Sequence, residues 1–334
     1  MPRLAFDEVR GELLRVLLSR KCPADNAEKV AYEIARNSLE GVYTHGVNRF
    51  PRLVRNIDDG LVNMDASPVK VNGFGAIENH DGGLGLGIVN ASFAMGRAME
   101  LAREHGIGLV ALRNTNHWLR AATYGYQACD GGMAALCFSN TMPNMPTWGA
   151  LDARIGNNPL CLAFPHPGGA VVVDMAMSQF SYGALESARL AGRMMPYDAG
   201  FDTKGELTRD PSEVIRSKRI LPAGYWKGAG LSVLLDVFAG CLSLGNTVSA
   251  IGRHPGDEHG MSQVFIAVHF SAIAPAEDVN RILDDALADL AQSAPDGRGG
   301  RIAWPGQRAL QTREDNLKNG IPVDERVWAT IQAL

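Results

Sequence analysis

The chain has 334 residues, 46% of them hydrophobic and 20% charged, enough apolar material for a substantial buried core. Lysine and arginine number 32 against 36 acids, a net charge of −4 with no basic stripe, which argues against nucleic acid as a partner. The amino-terminal MPRLAFDEVRGELLRVLLSRK carries acids and lacks a signal peptide's apolar core, and no apolar run approaches the ~20 residues of a membrane span.

Apolar residues at helical spacing predict helices over 6–21 and 23–41. Thr44 then stands in an N-cap position for a third helix over 45–60, closed by Gly60 and disturbed early by Pro51. Further helices are predicted over 88–106, 119–132, 181–192 and 228–245. Apolar strands are predicted over 107–114, 131–140, 160–165, 170–175 and 262–270. Such alternation implies a largely mixed sheet covered on both faces, an α/β fold. Helical patterns return over 276–293 and 312–334, separated by the linker-like SAPDGRGGR (293–301). The expected organisation is a central α/β domain over 76–274 and a helical lobe from residues 1–75 and 275–334.

Cys22, Cys129, Cys137, Cys161 and Cys241 are dispersed without C-x-x-C spacing, a pattern that suits free thiols in a reducing cytoplasm. The phosphate-binding fingerprint of dinucleotide folds is missing. GGLGLG (82–87) fits G-x-G-x-x-G in no register, and GIGLVA (106–111) precedes a strand instead of linking strand to helix. The latter reads as a helix C-cap. GYWKGAGLS (224–232) sets Trp226, Lys227 and glycines at the start of an apolar helix. There backbone N–H groups, the helix dipole and a lysine suit an anion, or simply form a capped helix. AVVVDMAMS (170–178) is a buried strand ending in Asp174 and small residues, the kind of strand end where α/β sheets bind ligands.

His45 and Arg49 stand four apart, which on a helix places them on one face. A guanidinium that grips a carboxylate beside an imidazole that donates a proton suits a carbonyl acid. A solvated helix face gives the same spacing, and both readings stand on these residues alone. RNTNHWLR (113–120) adds Asn116, His117 and Arg120 after a strand, where site loops are common. No H-x-x-x-H, H-E-x-x-H or G-x-S-x-G occurs, so metal and serine-nucleophile chemistry find little support.

Six segments resemble, in order and spacing, the type-2 malate/L-lactate dehydrogenase family: GVYTHGVNRFPR, EHGIGLVALRNTNHW, RIGNNPL, VVVDMAMSQFSYG, RILPAGYWKGAGLS and VWATIQAL. The resemblance runs from end to end. It implies NAD(P) bound on a non-Rossmann fold, homodimers, and reduction of a small 2-keto acid, foremost a sugar-derived one. Malate, lactate, sulfolactate or a cyclic imino acid are the substrates it leaves as alternatives, and a non-catalytic sugar-acid-binding module is the reading of another class.

The same resemblance implies roles. His45 is the proton donor, with Thr44 beside it, and Arg49 holds the substrate carboxylate. Asn116 and His117 lie near the substrate, and Arg120 is expected at the distal hydroxyls of a longer sugar acid. The cofactor falls to Ala170, Val171, Val172, Val173, Asp174, Met175 and Ala176, to Trp226 and Lys227, and to Gly306, Gln307 and Arg308. Two places depart from the pattern: GNNP (156–159) stands for GTNP, and Gly306-Gln307-Arg308 for Gly-His-Glu. An arginine gained where a carboxylate is lost opens the NAD site to the extra phosphate of NADP.

Overall fold

The computed structural model describes residues 2–297, 300 and 302–334. From the amino end come β1 (Arg3–Leu4), α1 (Phe6–Ser19), α2 (Ala24–Leu39) and, after two 3-10 turns, α3 (Phe50–Asp58). A hairpin of β2 (Val69–Phe74) and β3 (Ile77–Gly85) precedes α4 (Gly87–His105), β4 (Ile107–Thr115), α5 (Ala122–Asp130) and β5 (Ala134–Ser139). The short β6 (Met145–Pro146) and β7 (Ala153–Ile155) lead to β8 (Leu160–Phe164), β9 (Val171–Met175) and α6 (Tyr182–Leu190). Then follow β10 (Gly200–Phe201), β11 (Leu207–Thr208), α7 (Pro211–Ser217), α8 (Trp226–Ser243), α9 (Val248–Ile251) and β12 (Met261–Val268). The chain ends with α10 (Ala276–Ala291), α11 (Gln307–Asn319), β13 (Ile321–Pro322) and α12 (Glu325–Gln332).

Seven strands form the main sheet in the order β2-β3-β4-β12-β5-β8-β9. Only β3 and β4 run parallel, joined by α4 as a crossover helix; every other neighbouring pair is antiparallel. The sheet is thus mixed but mostly antiparallel. Its central strands are buried on both faces, as their apolar runs require. Val110 and Phe265 pack under α4 and α5, while Ala111 and Val264 pack under α8 through Leu235 and Ala239. At the edge, β2 is exposed throughout.

A separate core joins the two ends of the chain. Leu13 and Leu17 of α1 and Val30 and Ile34 of α2 share it with Ile321, Trp328 and Ile331, and β1 pairs with β13. In contrast, α10 buries no residue.

The helices and strands expected in the middle of the chain are present, and Gly106 does cap α4 in the left-handed region. Two expectations change, and one element was not foreseen. No helix begins at His45, because Gly46 divides 43–49 into two 3-10 turns and the α-helix starts only at Phe50. The last helical pattern starts earlier, at Gln307, and is cut by Gly320 and β13 before Asp324 caps α12. The β2–β3 hairpin lies in a glycine-rich stretch whose alternation the sequence pattern did not reveal. Within 293–301, Arg298, Gly299 and Arg301 lie outside the described residues.

Candidate active site

Strand register gathers the candidate loops at one end of the sheet. Thr115 at the end of β4 lies opposite Met261 at the start of β12, and Ser139 at the end of β5 lies opposite Gln263. Leu160 opening β8 lies opposite Met175 closing β9. The loops carrying residues 116–121, 140–144, 156–159, 176–181 and 252–260 therefore meet there. Against this end sits the 43–49 turn that follows α2.

That turn is fixed from below by the end of α2. Asn37 Nδ2 donates to the His45 carbonyl at 2.9 Å, and Ser38 Oγ accepts the Val47 N–H at 2.8 Å. A Cβ on Gly46 would come within 2.1 Å of Ser38 Oγ and 2.9 Å of its backbone nitrogen, so this close approach requires glycine. Thr44 lies within the first 3-10 turn and caps no helix. Its methyl faces Gly183 of α6, and its Oγ1 lies 3.3 Å from His45 Nδ1.

From the other side, the 116–121 loop brings His117 against His45, the rings stacked with centroids 5.7 Å apart. The Leu119 N–H donates to His117 Nδ1 at 3.0 Å, which places the proton of the neutral ring on Nε2. Leu119 itself has φ +65°, a strained conformation for a branched residue. The glycine run 82–87 makes room for this loop: a Cβ on Gly87 would meet the His117 carbonyl oxygen at 2.2 Å.

Two residues expected at the substrate are otherwise engaged. Asn116 is buried, and its Nδ2 faces the carbonyls of Leu61, Leu84 and Gly85, so it holds the loop and offers no amide hydrogen to the cleft. Arg120, expected at the distal hydroxyls, is 6% exposed, paired with Glu40 and laid over the Tyr126 ring. It acts on the cleft through its charge.

His45, Arg49 and His117 do share the cleft. Burial and the guanidiniums of Arg49 and Arg120 push the His45 imidazole down to about 4. Burial, with Arg49, His45 and Arg52, holds His117 well below its ordinary value. Burial and Arg52 lower Arg49 to about 10 against the pull of Glu258 and Asp257, so it stays cationic at neutral pH. Its Nη2 lies 3.8 Å from Glu258 Oε2, within ion-pair range but too far for a hydrogen bond. Glu40, Asp257 and Glu258 escaped the sequence reading; nothing in their spacing links them to His45.

The expected cofactor segments lie along the edge strand. Asp174 accepts the Ala122 N–H at 2.9 Å, and burial raises its carboxyl above the ordinary value. The Val172 N–H donates to Pro305 O, and a Cβ on Gly306 would stand 3.2 Å from Ala170 O and Val172 N, so 304–308 lies directly on β9. Trp226 and Lys227 are exposed at the start of α8, next to the exit of β9, where Gly228 abuts the Met177 carbonyl. The Lys227 and Gly228 N–H groups already bond to Gly224 and Ala223. What this helix start offers an anion is its dipole and the Lys227 charge. In the GNNP loop, Asn157 Oδ1 accepts from Asn144 Nδ2, while Asn158 Nδ2 donates to Ser232 and ties the loop to α8.

2,3-Diketo-L-gulonate reductase of Salmonella newport (strain SL254) is 45% identical over 336 aligned residues, covering 99% of this chain and all of the relative. Malate dehydrogenase of Pyrococcus horikoshii OT3 superposes with a TM-score of 0.90 at 27% identity, over 98% of this chain and 93% of that one. Sulfolactate dehydrogenase of Methanocaldococcus jannaschii does so with 0.88 at 25% identity, over 99% and 95%. With the family match extending over residues 4–332, the chain belongs to the malate/L-lactate dehydrogenase family.

Proposed function

We propose that this chain is a nicotinamide-dependent oxidoreductase that reduces the keto group of a 2-keto acid, foremost a sugar-derived one such as 2,3-diketo-L-gulonate. The observation that carries this reading is the meeting of His45, Arg49 and His117, from two separate segments, in one cleft. The full-length likeness to a reductase of that substrate supports the choice among keto acids.

Arg49 binds the substrate carboxylate through the donors that Glu258 leaves free. That anion offsets one of the charges depressing His45, so its proton affinity rises as substrate arrives. His45 then donates its proton to the keto oxygen, and Thr44 and the stacked His117 keep its ring in place. The nicotinamide cofactor, when bound, supplies the hydride. Ala170–Ala176, Trp226, Lys227, Gly306, Gln307 and Arg308 are the residues that would hold it. The glycine cradle at Gly306 and the exposed Lys227 at a helix start fit such a group. We assign NAD as the cofactor, with Arg308, exposed on the first turn of α11, extending the site to NADP. Dispersed free thiols support a cytoplasmic enzyme. The large apolar residues on the outer face of α8 support a homodimer.

The test is His45→Ala, assayed against 2-keto acids with NADH and NADPH. Turnover is expected to vanish while cofactor binding, read by fluorescence titration, persists; near-normal turnover would overturn the assignment.

A further inference from the structure

Three guanidiniums, those of Arg49, Arg52 and Arg120, act on the paired imidazoles, and each has a carboxylate of its own. Arg52 is held bidentately by Asp257, and Arg120 donates a single hydrogen bond, from Nη1, to Glu40. Arg49 alone of the three makes no hydrogen bond to its carboxylate, because Glu258 stands 3.8 Å from it. Glu258 cannot easily withdraw. Its Oε1 accepts the Met142 N–H at 2.8 Å, its own N–H donates to Asp257 Oδ1 at 2.8 Å, and its side chain is 7% exposed. The carboxylates are therefore built in.

We infer that Asp257 and Glu258 form a charge filter that admits 2-keto acids with a single carboxylate and a neutral tail and rejects dicarboxylates. This rests on the reading of the site as a 2-keto acid reductase. One substrate carboxylate finds Arg49. A second anionic group finds no unpaired guanidinium among these three, and meets carboxylates fixed in a poorly solvated cleft. Hydroxyl groups on a neutral tail can instead donate to the same oxygens. The filter separates a sugar-acid reductase from a malate- or sulfolactate-type enzyme on the same scaffold. Like charges ~6 Å apart at an effective dielectric near 20 discriminate by on the order of 10- to 100-fold.

The experiment compares kcat and KM of the full-length protein, with NADH and NADPH, for 5-hydroxy-2-ketopentanoate and 2-ketoglutarate, which differ chiefly in the tail charge. The wild type is expected to favour the neutral-tailed acid by at least ~10-fold in kcat/KM. Glu258→Gln keeps an oxygen for the Met142 N–H, and Asp257→Asn leaves Arg52 unpaired. Each is expected to shrink that preference ~10-fold by lowering KM for 2-ketoglutarate. A purely structural role would weaken both substrates alike. Equal use of both acids by the wild type, or a preference unchanged in whichever variants fold, overturns the filter. Failure of the wild type to reduce any 2-keto acid is a different result and overturns the function on which the filter rests.

Discussion

The His45 and His117 rings lie stacked, 5.7 Å between centroids and 18° from parallel. His117 is the ring less free to charge, since its Nδ1 accepts the Leu119 N–H and protonation there would break that bond. His45 is therefore the titrating partner, with its value pushed to about 4 by burial, Arg49 and Arg120. Under the proposed mechanism the neutral ring acts as the base for alcohol oxidation, so kcat/KM in that direction should rise with pH through about 4 and level off before neutrality. Reduction by the same mechanism uses the protonated ring, so its kcat/KM should fall as pH climbs above that value. Arg49→Met removes a depressing charge and should move the His45 titration up toward its ordinary value, visible in histidine NMR spectra of the substrate-free protein. A titration that stays put would show that Arg49 does not act on His45.

Gly46 should tolerate no side chain. A Cβ there meets both the hydroxyl and the backbone nitrogen of Ser38, and the second cannot move without unwinding the end of α2. Gly46→Ala is expected to cost about 1–3 kcal/mol of stability, as overpacking does, and to lower kcat more than cofactor affinity. Adding Ser38→Ala should recover only part of the loss, as read by denaturant midpoints. Full recovery would locate the constraint in the hydroxyl alone.

Which parts of this site could be read from sequence follows from how local each signal is. His45 with Arg49 and Asn116 with His117 stand within single short motifs, and the strand ending in Asp174 is a run of apolar residues. Asp257 and Glu258 reach Arg52 and Arg49 across about two hundred residues, and Glu40 reaches Arg120 across eighty; no periodicity encodes such pairs. The helix expected at 45–60 failed at its start because the chain there follows Ser38 and not local propensity. Arg120 looked available because a sequence does not show that Glu40 and Tyr126 enclose it.

Arg308 should decide how well NADPH is used. It is exposed on the first turn of α11, where the helix dipole and its charge both favour an anion. Arg308→Glu is expected to reduce the NADPH-to-NADH ratio of kcat/KM by about tenfold, the scale of a lost charge-assisted bond. The NADH value should change little. A ratio unaffected by the substitution would place the extra phosphate elsewhere.

The helix α8 has its residue sizes inverted for a monomer. Its buried residues are mostly small, Gly228, Ala229, Ser232, Ala239 and Gly240 among them, while Leu231, Leu234, Val237 and Phe238 are 41–55% exposed. Leu231, Leu234 and Phe238 fall at i, i+3 and i+7, a single outward stripe. A surface helix that turns its large apolar residues outward leaves unburied the area that would stabilise it most, unless a second copy covers it. Leu234→Asp with Phe238→Asp should therefore convert a dimeric wild type to monomers in sedimentation equilibrium. KM for the cofactor should rise with it, because Trp226 and Lys227 open the same helix. Ile282→Asp on α10, equally exposed but on a helix that buries nothing, should leave assembly unchanged. A wild type that sediments as a monomer at micromolar concentration would leave the α8 stripe without its partner and sink the prediction.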